Sequence, residues 1–471
     1  MLGKSEAEPG ESGIGPSEST VGPVDWASDS GSRAEIMRFL IRGRRPLAGQ
    51  VKVHGAKNAV LPIIAASLLS SEMSVITQVP HLEDVFTAIE VMASIGVDAR
   101  LRGSTLTVRP SGLSSFEAPY DLVRRMRASF LITGPLLARL GHARISLPGG
   151  CAIGTRPIDL HLKGLEALGA RVKCGHGYIE ASTGRLKGSR IYLDYPSVGA
   201  TEHLMMTAAL AEGQTVIENA AEEPEIVDLA NYLNAAGGRV YGAGTKIIRV
   251  EGVPALHGAR HQVIPDRIEA GTYMVAAAVT GGRVEVEGVV PDHLKAVIAK
   301  MREMGVRVEE AENAVLVDAT GGRPRAVNLK TMPYPGFPTD MQAPFMALLA
   351  VSEGTGLITE TVFENRFIHV AELRRMGADI QVDGRTAMVS GRPALLGAPV
   401  TATDLRGGAA LVLAGLAAAG VTEVRDVEHI DRGYEELDVN LRRLGARIRR
   451  IRSASCAADR ETSDLAGLHA E

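Results

Sequence analysis

The sequence predicts an α/β chain made of six similar βα units, three to a domain, around buried helices. Three observations predict it. One short pattern recurs six times: "MASIGVDA" from Met92, "LEALGARV" from Leu165, "LNAAGGRV" from Leu233, "MREMGVRV" from Met301, "LRRMGADI" from Leu373 and "LRRLGARI" from Leu441. Each reads as a helix that ends at a glycine and feeds an alternating strand. The glycines are Gly96, Gly169, Gly237, Gly305, Gly377 and Gly445, with successive gaps of 73, 68, 68, 72 and 68. A unit of that length exceeds the period of common solenoids, so compact units rather than a rod are expected. Finally, every unit carries a second helical stretch that is apolar nearly all round, the mark of a buried helix.

Those stretches are, in order, "GAKNAVLPIIAASLL", "MRASFLITGPLLARLG", "SVGATEHLMMTAALAEG", "PDRIEAGTYMVAAAVTGG", "PTDMQAPFMALLAVSEG" and "TDLRGGAALVLAGLAAAG". Most are expected to stop at a glycine. Their polar residues gather at the start: Lys57 and Asn58, Arg127 and Ser129, Ser197 and Thr201, then Asp266, Asp340 and Arg406. An ordinary N-cap accounts for Ser197, Asp266 or Asp340 taken singly. It does not account for Lys57, Arg127 or Arg406, because a cation is disfavoured at a helix N-terminus unless an anion is present. If the buried helices of each domain run the same way, their free N–H groups collect on one face. Two such faces opposed make a cleft that attracts anions.

Composition bounds the rest. The chain has 471 residues, 45 % hydrophobic and 23 % charged, as in an ordinary globular protein large enough for two domains. Its net charge of −4 provides no basic field for nucleic acid, and "LRRLGARIRRIR" reads as a solvated face. Cys151, Cys174 and Cys456 are far apart and suit neither a disulfide framework nor a metal site; they fit a reducing cytoplasm. No apolar run is long enough to span a membrane. The first 36 residues are rich in Gly, Ser, Pro and Glu and lack the apolar core of a signal peptide, so residues 1–36 are expected to be disordered, with Met37 a conceivable start. Residues 453–471 are expected to form a loose tail.

Cys151 sits in "SLPGGCAIGTRPIDLH", after two glycines and five residues before Arg156. The glycines let the backbone bend sharply, and Arg156 would lower the thiol's pKa and hold an anion. A reactive thiol on a loop over a phosphate-bearing substrate and a small buried hydrophobe both fit this pattern.

Ten ordered motifs decide between them: "HGAKN", "MRAS", "LPGGCAIGTRPIDLH", "YPSVGATEHLMM", "EPEIVD", "IPDRIEAGT", "FPTDMQA", "FENRFIH", "DLRGGAALVLAG" and "HIDRGYE". In this order and spacing, over about residues 37–451, the chain resembles the UDP-N-acetylglucosamine 1-carboxyvinyltransferases. The resemblance implies the two-domain enolpyruvyl-transferase fold, with one domain over residues 57–264 and the other joining 37–56 to 265–452. It implies transfer of the enolpyruvyl group of phosphoenolpyruvate to the 3-hydroxyl of UDP-N-acetylglucosamine, with release of phosphate, as the first committed step of peptidoglycan synthesis. Both partners are small polyanions; no cofactor or metal is implied, and a monomer is expected.

The resemblance also assigns residues. Cys151 is implied as proton donor and as the site of a covalent adduct. Lys57 and Asn58 match the phosphoenolpyruvate site, and Arg127, Arg156, Arg406 and Arg432 the clamp on phosphate and carboxylate. Asp340 matches the base at the sugar hydroxyl. Arg156, Pro157, Ile158, Asp159, Leu160 and His161, with Ser197, Val198 and Gly199, resemble nucleotide contacts. Val362 and Asn365 resemble contacts to the sugar and its diphosphate, and Glu223 and Asp266 resemble ties of the closed state. Glu83 and Tyr195 depart from lysines found in some members, which leaves the acceptor sugar open. The alternatives are the transferase acting on shikimate 3-phosphate, a paralogue acting on another nucleotide sugar, and a non-catalytic sugar-nucleotide-binding regulator.

Overall fold

The computed structural model describes residues 35–147 and 158–454. Cys151, Arg156 and Pro157 therefore lie outside the described residues, as does Cys456; Cys174 is exposed. All six repeat glycines take left-handed backbone conformations, with φ of 89°, 88°, 91°, 86°, 84° and 96° in chain order. A side chain there would clash with the following carbonyl, so glycine is what lets each outer helix reverse into its strand. Those outer helices are Glu83–Ser94, Asp159–Ala167, Pro224–Ala235, Lys295–Glu303, Val370–Arg375 and Leu437–Arg443.

The six apolar stretches form helices α1 (Lys57–Ala66), α2 (Thr133–Leu140), α3 (Val198–Ala208), α4 (Arg267–Thr280), α5 (Gln342–Val351) and α6 (Leu405–Ala417). Every residue of α5 is buried. Alanine, leucine and methionine dominate these helices, and each large side chain removed from water contributes roughly 1.5–3 kcal/mol. Their ends differ from expectation. A left-handed glycine caps α2 (Gly141) and α4 (Gly281), but α1, α3, α5 and α6 end at Ser67, Ala209, Ser352 and Ala418. The later glycines Gly213, Gly354 and Gly420 instead sit at positive φ in the turns that lead to the next strands. A helix can stop one turn early when its last carbonyls find partners in that turn.

Among the described residues there are six sheets, five of four strands and one of three. In one, Arg283–Glu287 pairs in parallel with Ala48–Lys52 and antiparallel with Ala314–Asp318, which pairs in turn with Arg307–Glu310. In another, Glu35–Arg42 lies between Val421–Arg425 and Arg447–Ala454. Its register pairs Glu35 with Ala454, so ordered strand extends two residues beyond each expected boundary. Two strands that pair along their length satisfy each other's backbone groups, which composition alone does not reveal.

Buried hydrophobic side chains fall into two clusters. One runs from Ala56 to Val263; the other joins Phe39–Val53 to residues 268–448. The chain passes between them twice, and the two crossings pair: Ala56 N–H donates to the Ile264 carbonyl at 2.7 Å, and Asp266 N–H to that of His54 at 2.9 Å. The His54 imidazole meets the buried Glu269 at 2.9 Å beside this junction.

Candidate functional site

The starts of α4, α5 and α6 converge. Asp340 lies in a short 3-10 turn leading into α5, and its carboxylate does not cap the helix. Instead Oδ1 accepts from Arg366 Nη2 at 2.7 Å and Oδ2 from Arg406 Nη2 at 3.1 Å. Arg406 is in the first turn of α6, where Asp404 is the cap and accepts from the N–H groups of Arg406 and Gly407. The Arg406 guanidinium is buried 5.2 Å above the Tyr434 ring. Arg366 is 4 % exposed, and its Nη1 has no hydrogen-bond partner among the described residues. A buried guanidinium N–H without an acceptor is costly.

Lys57 begins α1, in the other cluster. Its ammonium bonds Asp84 Oδ2 at 2.6 Å, and Arg432 Nε bonds Asp84 Oδ1 at 2.9 Å, so one carboxylate joins cations from both halves. Burial pushes the Lys57 ammonium below its usual range; Asp84 opposes this, while Arg432 and Arg406 add to it. Burial alone would raise the Asp84 carboxyl, but Lys57 and Arg432 outweigh it and hold it low. Asp266 caps α4 through Oδ1, and its Oδ2 accepts the Lys57 backbone N–H at 3.2 Å. Asn58 is exposed beside Lys57. The close approach of α6 to the Arg432 loop requires Gly408, where a Cβ would lie 2.7 Å from Ile430.

A third group forms at the start of α3. Ser197 caps it, accepting from Ala200 N–H at 3.3 Å. His161 packs its ring edge near Gly199, a Cβ on which would lie 3.5 Å from Nε2. Burial, then the Arg127 charge, depress the His161 pKa to about 3. Ile158 and Leu160 are half-buried and Asp159 is exposed. Val362 lies in a loop organised by Glu360, whose Oε1 accepts from the N–H groups of Val362 and Phe363 and from Thr331 Oγ1, while Oε2 accepts from Thr339 Oγ1. Asn365 is exposed on the same loop. Tyr195 is raised by burial and by the charges of Glu223 and Glu360, one from each cluster.

The structure thus brings Lys57, Asp266, Asp340, Arg406 and Arg432 together, and separately His161, Arg127 and residues 197–199. Two expected clamp residues, Arg406 and Arg432, are held by the protein's own carboxylates. Asp84, Glu360, Arg366 and Asp404 were not foreseen. Arg366 stands inside the quoted motif "FENRFIH", so a buried-cation criterion applied there would have found it.

Contacts also cross between the clusters near Glu223. Tyr334 N–H donates to Glu223 Oε1 at 3.4 Å, and Arg267 forks onto Glu225 at 3.0 and 3.3 Å. Glu202 lies buried nearby with Oε1 unpartnered among the described residues. Burial, then Glu225 and Glu223, raise its pKa well above the ordinary carboxyl value. A carboxyl raised on folding contributes stability below its unfolded pKa and loses it as pH rises through the folded one. Glu202→Gln is therefore expected to match the wild type near pH 4 and to gain about 2–4 °C in Tm by pH 8, read by calorimetry.

The family and relatives that the chain matches define its class, a carboxyvinyltransferase. The family model described as EPSP synthase (3-phosphoshikimate 1-carboxyvinyltransferase) matches residues 41–441. UDP-N-acetylglucosamine 1-carboxyvinyltransferase 2 of Carboxydothermus hydrogenoformans is 58 % identical over 88 % of this chain and 99 % of its own. UDP-N-acetylglucosamine 1-carboxyvinyltransferase 1 of Halalkalibacterium halodurans is 59 % identical over 88 % of this chain and 94 % of its own. Among solved structures, the enolpyruvyl transferase NikO of Streptomyces tendae superposes with a TM-score of 0.82 at 28 % identity, covering 89 % of this chain and all of that one. EPSP synthase of Acinetobacter baumannii shares the fold, with a TM-score of 0.69 at 20 % identity, over 88 % and 100 % of the two chains. The chain belongs to the UDP-N-acetylglucosamine 1-carboxyvinyltransferase family, a branch of these transferases. Among the described residues, no helix is long and apolar enough to cross a membrane.

Proposed function

We propose that this cleft transfers the enolpyruvyl group of phosphoenolpyruvate to the 3-hydroxyl of UDP-N-acetylglucosamine. The observation that carries the reading is the meeting of two cationic clusters, Arg366 with Arg406 around Asp340 and Lys57 with Arg432 around Asp84. Domains of residues 57–264 and of 37–56 with 265–452 would close on the two polyanions. Lys57, Arg127, Arg156, Arg406 and Arg432 neutralise the phosphate and carboxylate, with Asn58 beside them. Cys151 protonates the methylene carbon, Asp340 takes the proton of the sugar hydroxyl, and its oxygen bonds to C2. Loss of a methyl proton and of phosphate from the tetrahedral intermediate then restores the double bond. Residues 158–161 and 197–199 bind the nucleotide, and Val362 and Asn365 the sugar. This reaction opens peptidoglycan synthesis, in the cytoplasm and on a monomer.

Phosphate release tests it directly. Release is expected only with both substrates present; none with the full mixture overturns the reading in favour of a non-catalytic binder, and release with another nucleotide sugar alone reassigns the acceptor. Intact-mass analysis with the epoxide fosfomycin is expected to show one adduct on Cys151; an adduct on Cys174 or Cys456 instead removes Cys151 from its role.

A further inference from the structure

His203, on α3, faces His161 beneath the proposed nucleotide contacts and has no part in the chemistry above. Their Nδ1 atoms lie 3.2 Å apart, with ring centroids 5.2 Å apart and planes inclined at 49°. His203 is fully buried, and the edge of Phe130 closes one side of the pair. One proton sits between two facing Nδ1 atoms, so each ring's tautomer fixes the other's. The far side of His203 decides which ring donates. Its Nε2 is buried without a partner among the described residues. A Cβ on Gly134 would collide with Thr207 Oγ1 and lie 2.9 Å from His203 Cδ2 and 3.0 Å from Nε2, so the glycine packs against this edge of the ring, beside a hydroxyl that already donates to the His203 carbonyl. With no hydrogen-bond partner on that side among the described residues, a bare lone pair costs less than a buried N–H left without an acceptor. His203 therefore carries its proton on Nδ1 and donates it to His161. His161 is then protonated on Nε2, the atom that faces Gly199 at the start of α3.

We infer that His203 is a positioning residue that locks His161 as a neutral Nε2–H donor for an acceptor oxygen of the bound nucleotide. The inference rests on the nucleotide reading of 158–161 and 197–199. Burial keeps His161 and His203 both uncharged near neutrality, which removes the competing doubly protonated arrangement.

Two measurements separate this inference from the reading beneath it. Long-range proton–nitrogen NMR of ring-labelled histidine, with His161 assigned by loss of its signals in His161→Gln, is expected to show His161 protonated on Nε2. Protonation on Nδ1 overturns the inference whatever the ligand. Calorimetric titration supplies the second arm. His203→Leu is expected to weaken UDP binding about tenfold, the loss of one hydrogen bond. His203→Asn, whose amide places an N–H near the Nδ1 position, stays within threefold. In the His161→Gln background, where the amide presents its donor without help, His203→Leu costs less than twofold. Equal losses in both backgrounds mean that His203 acts through packing and overturn the inference. Titrating uridine as well as UDP locates the acceptor oxygen: a tenfold loss with both places it on the nucleoside, and a loss with UDP alone on the diphosphate. If the wild type binds no UDP, the nucleotide reading fails while the ring spectrum still decides the tautomer.

Discussion

Asp340→Asn is expected to lower kcat for phosphate release by roughly 10³-fold while moving the Kd for UDP-N-acetylglucosamine by less than about fivefold. The argument lies in how the carboxylate is held. Each oxygen can accept about two hydrogen bonds. Arg366 donates to Oδ1 and Arg406 to Oδ2, so both oxygens are held in place where the proposed reading brings the sugar hydroxyl. Asparagine keeps the shape but replaces one acceptor with an N–H and cannot take a proton. That N–H would also face a guanidinium, so Arg366 or Arg406 must turn away. Binding energy from the proposed nucleotide contacts, 158–161 and 197–199, is untouched, and the loss falls on turnover. The measurement is steady-state phosphate release beside calorimetric titration of the nucleotide. A variant that retains a tenth of wild-type kcat would remove Asp340 as the base and leave it an organiser of the two arginines.

Much of this was legible before any coordinates because the chain repeats itself. Six glycines at near-equal spacing carry the same physical demand six times, and all six are left-handed. Cations at helix starts were legible for a different reason: Lys57 and Arg406 contradict the helix dipole, and a contradiction needs an anion to resolve it. Residues that contradict nothing stayed hidden. Asp84 follows Glu83 in the first turn of the outer helix Glu83–Ser94, where an acidic pair is the ordinary pattern. The sequence drew attention to Glu83, which is exposed, and the neighbouring carboxylate holds the ion pairs. Asp404 and Glu360 drew no attention either; one caps α6, and the other gathers four donors. Pairing between distant segments, such as Glu35–Arg42 with Arg447–Ala454, leaves no local mark, so the terminal boundaries were drawn two residues short at each end.

Asp84→Ala is expected to cost about 3–5 kcal/mol of stability at neutral pH and to lower kcat/KM for phosphoenolpyruvate at least 10²-fold. The Lys57 and Asp84 side chains are only 10 % and 7 % exposed, so removing the carboxylate leaves an ammonium buried beside Arg432 with no counter-charge. The pH dependence distinguishes this from a simple cavity. Asp84 titrates below its unfolded value, so its contribution is present above roughly pH 4 and lost as pH falls through the folded pKa. The stability gap between wild type and variant should therefore shrink in acid. It should shrink in alkali too. Lys57 is already depressed by burial, and without Asp84 it releases its proton at lower pH still, relieving the variant first. Inorganic phosphate should then protect the variant more than the wild type, because an anion can take the vacated place between Lys57 and Arg432. Thermal unfolding from pH 3 to 10, with and without phosphate, reads all three effects. A gap that stays constant across that range, and a variant indifferent to phosphate, would show that Asp84 fills space rather than holding charge.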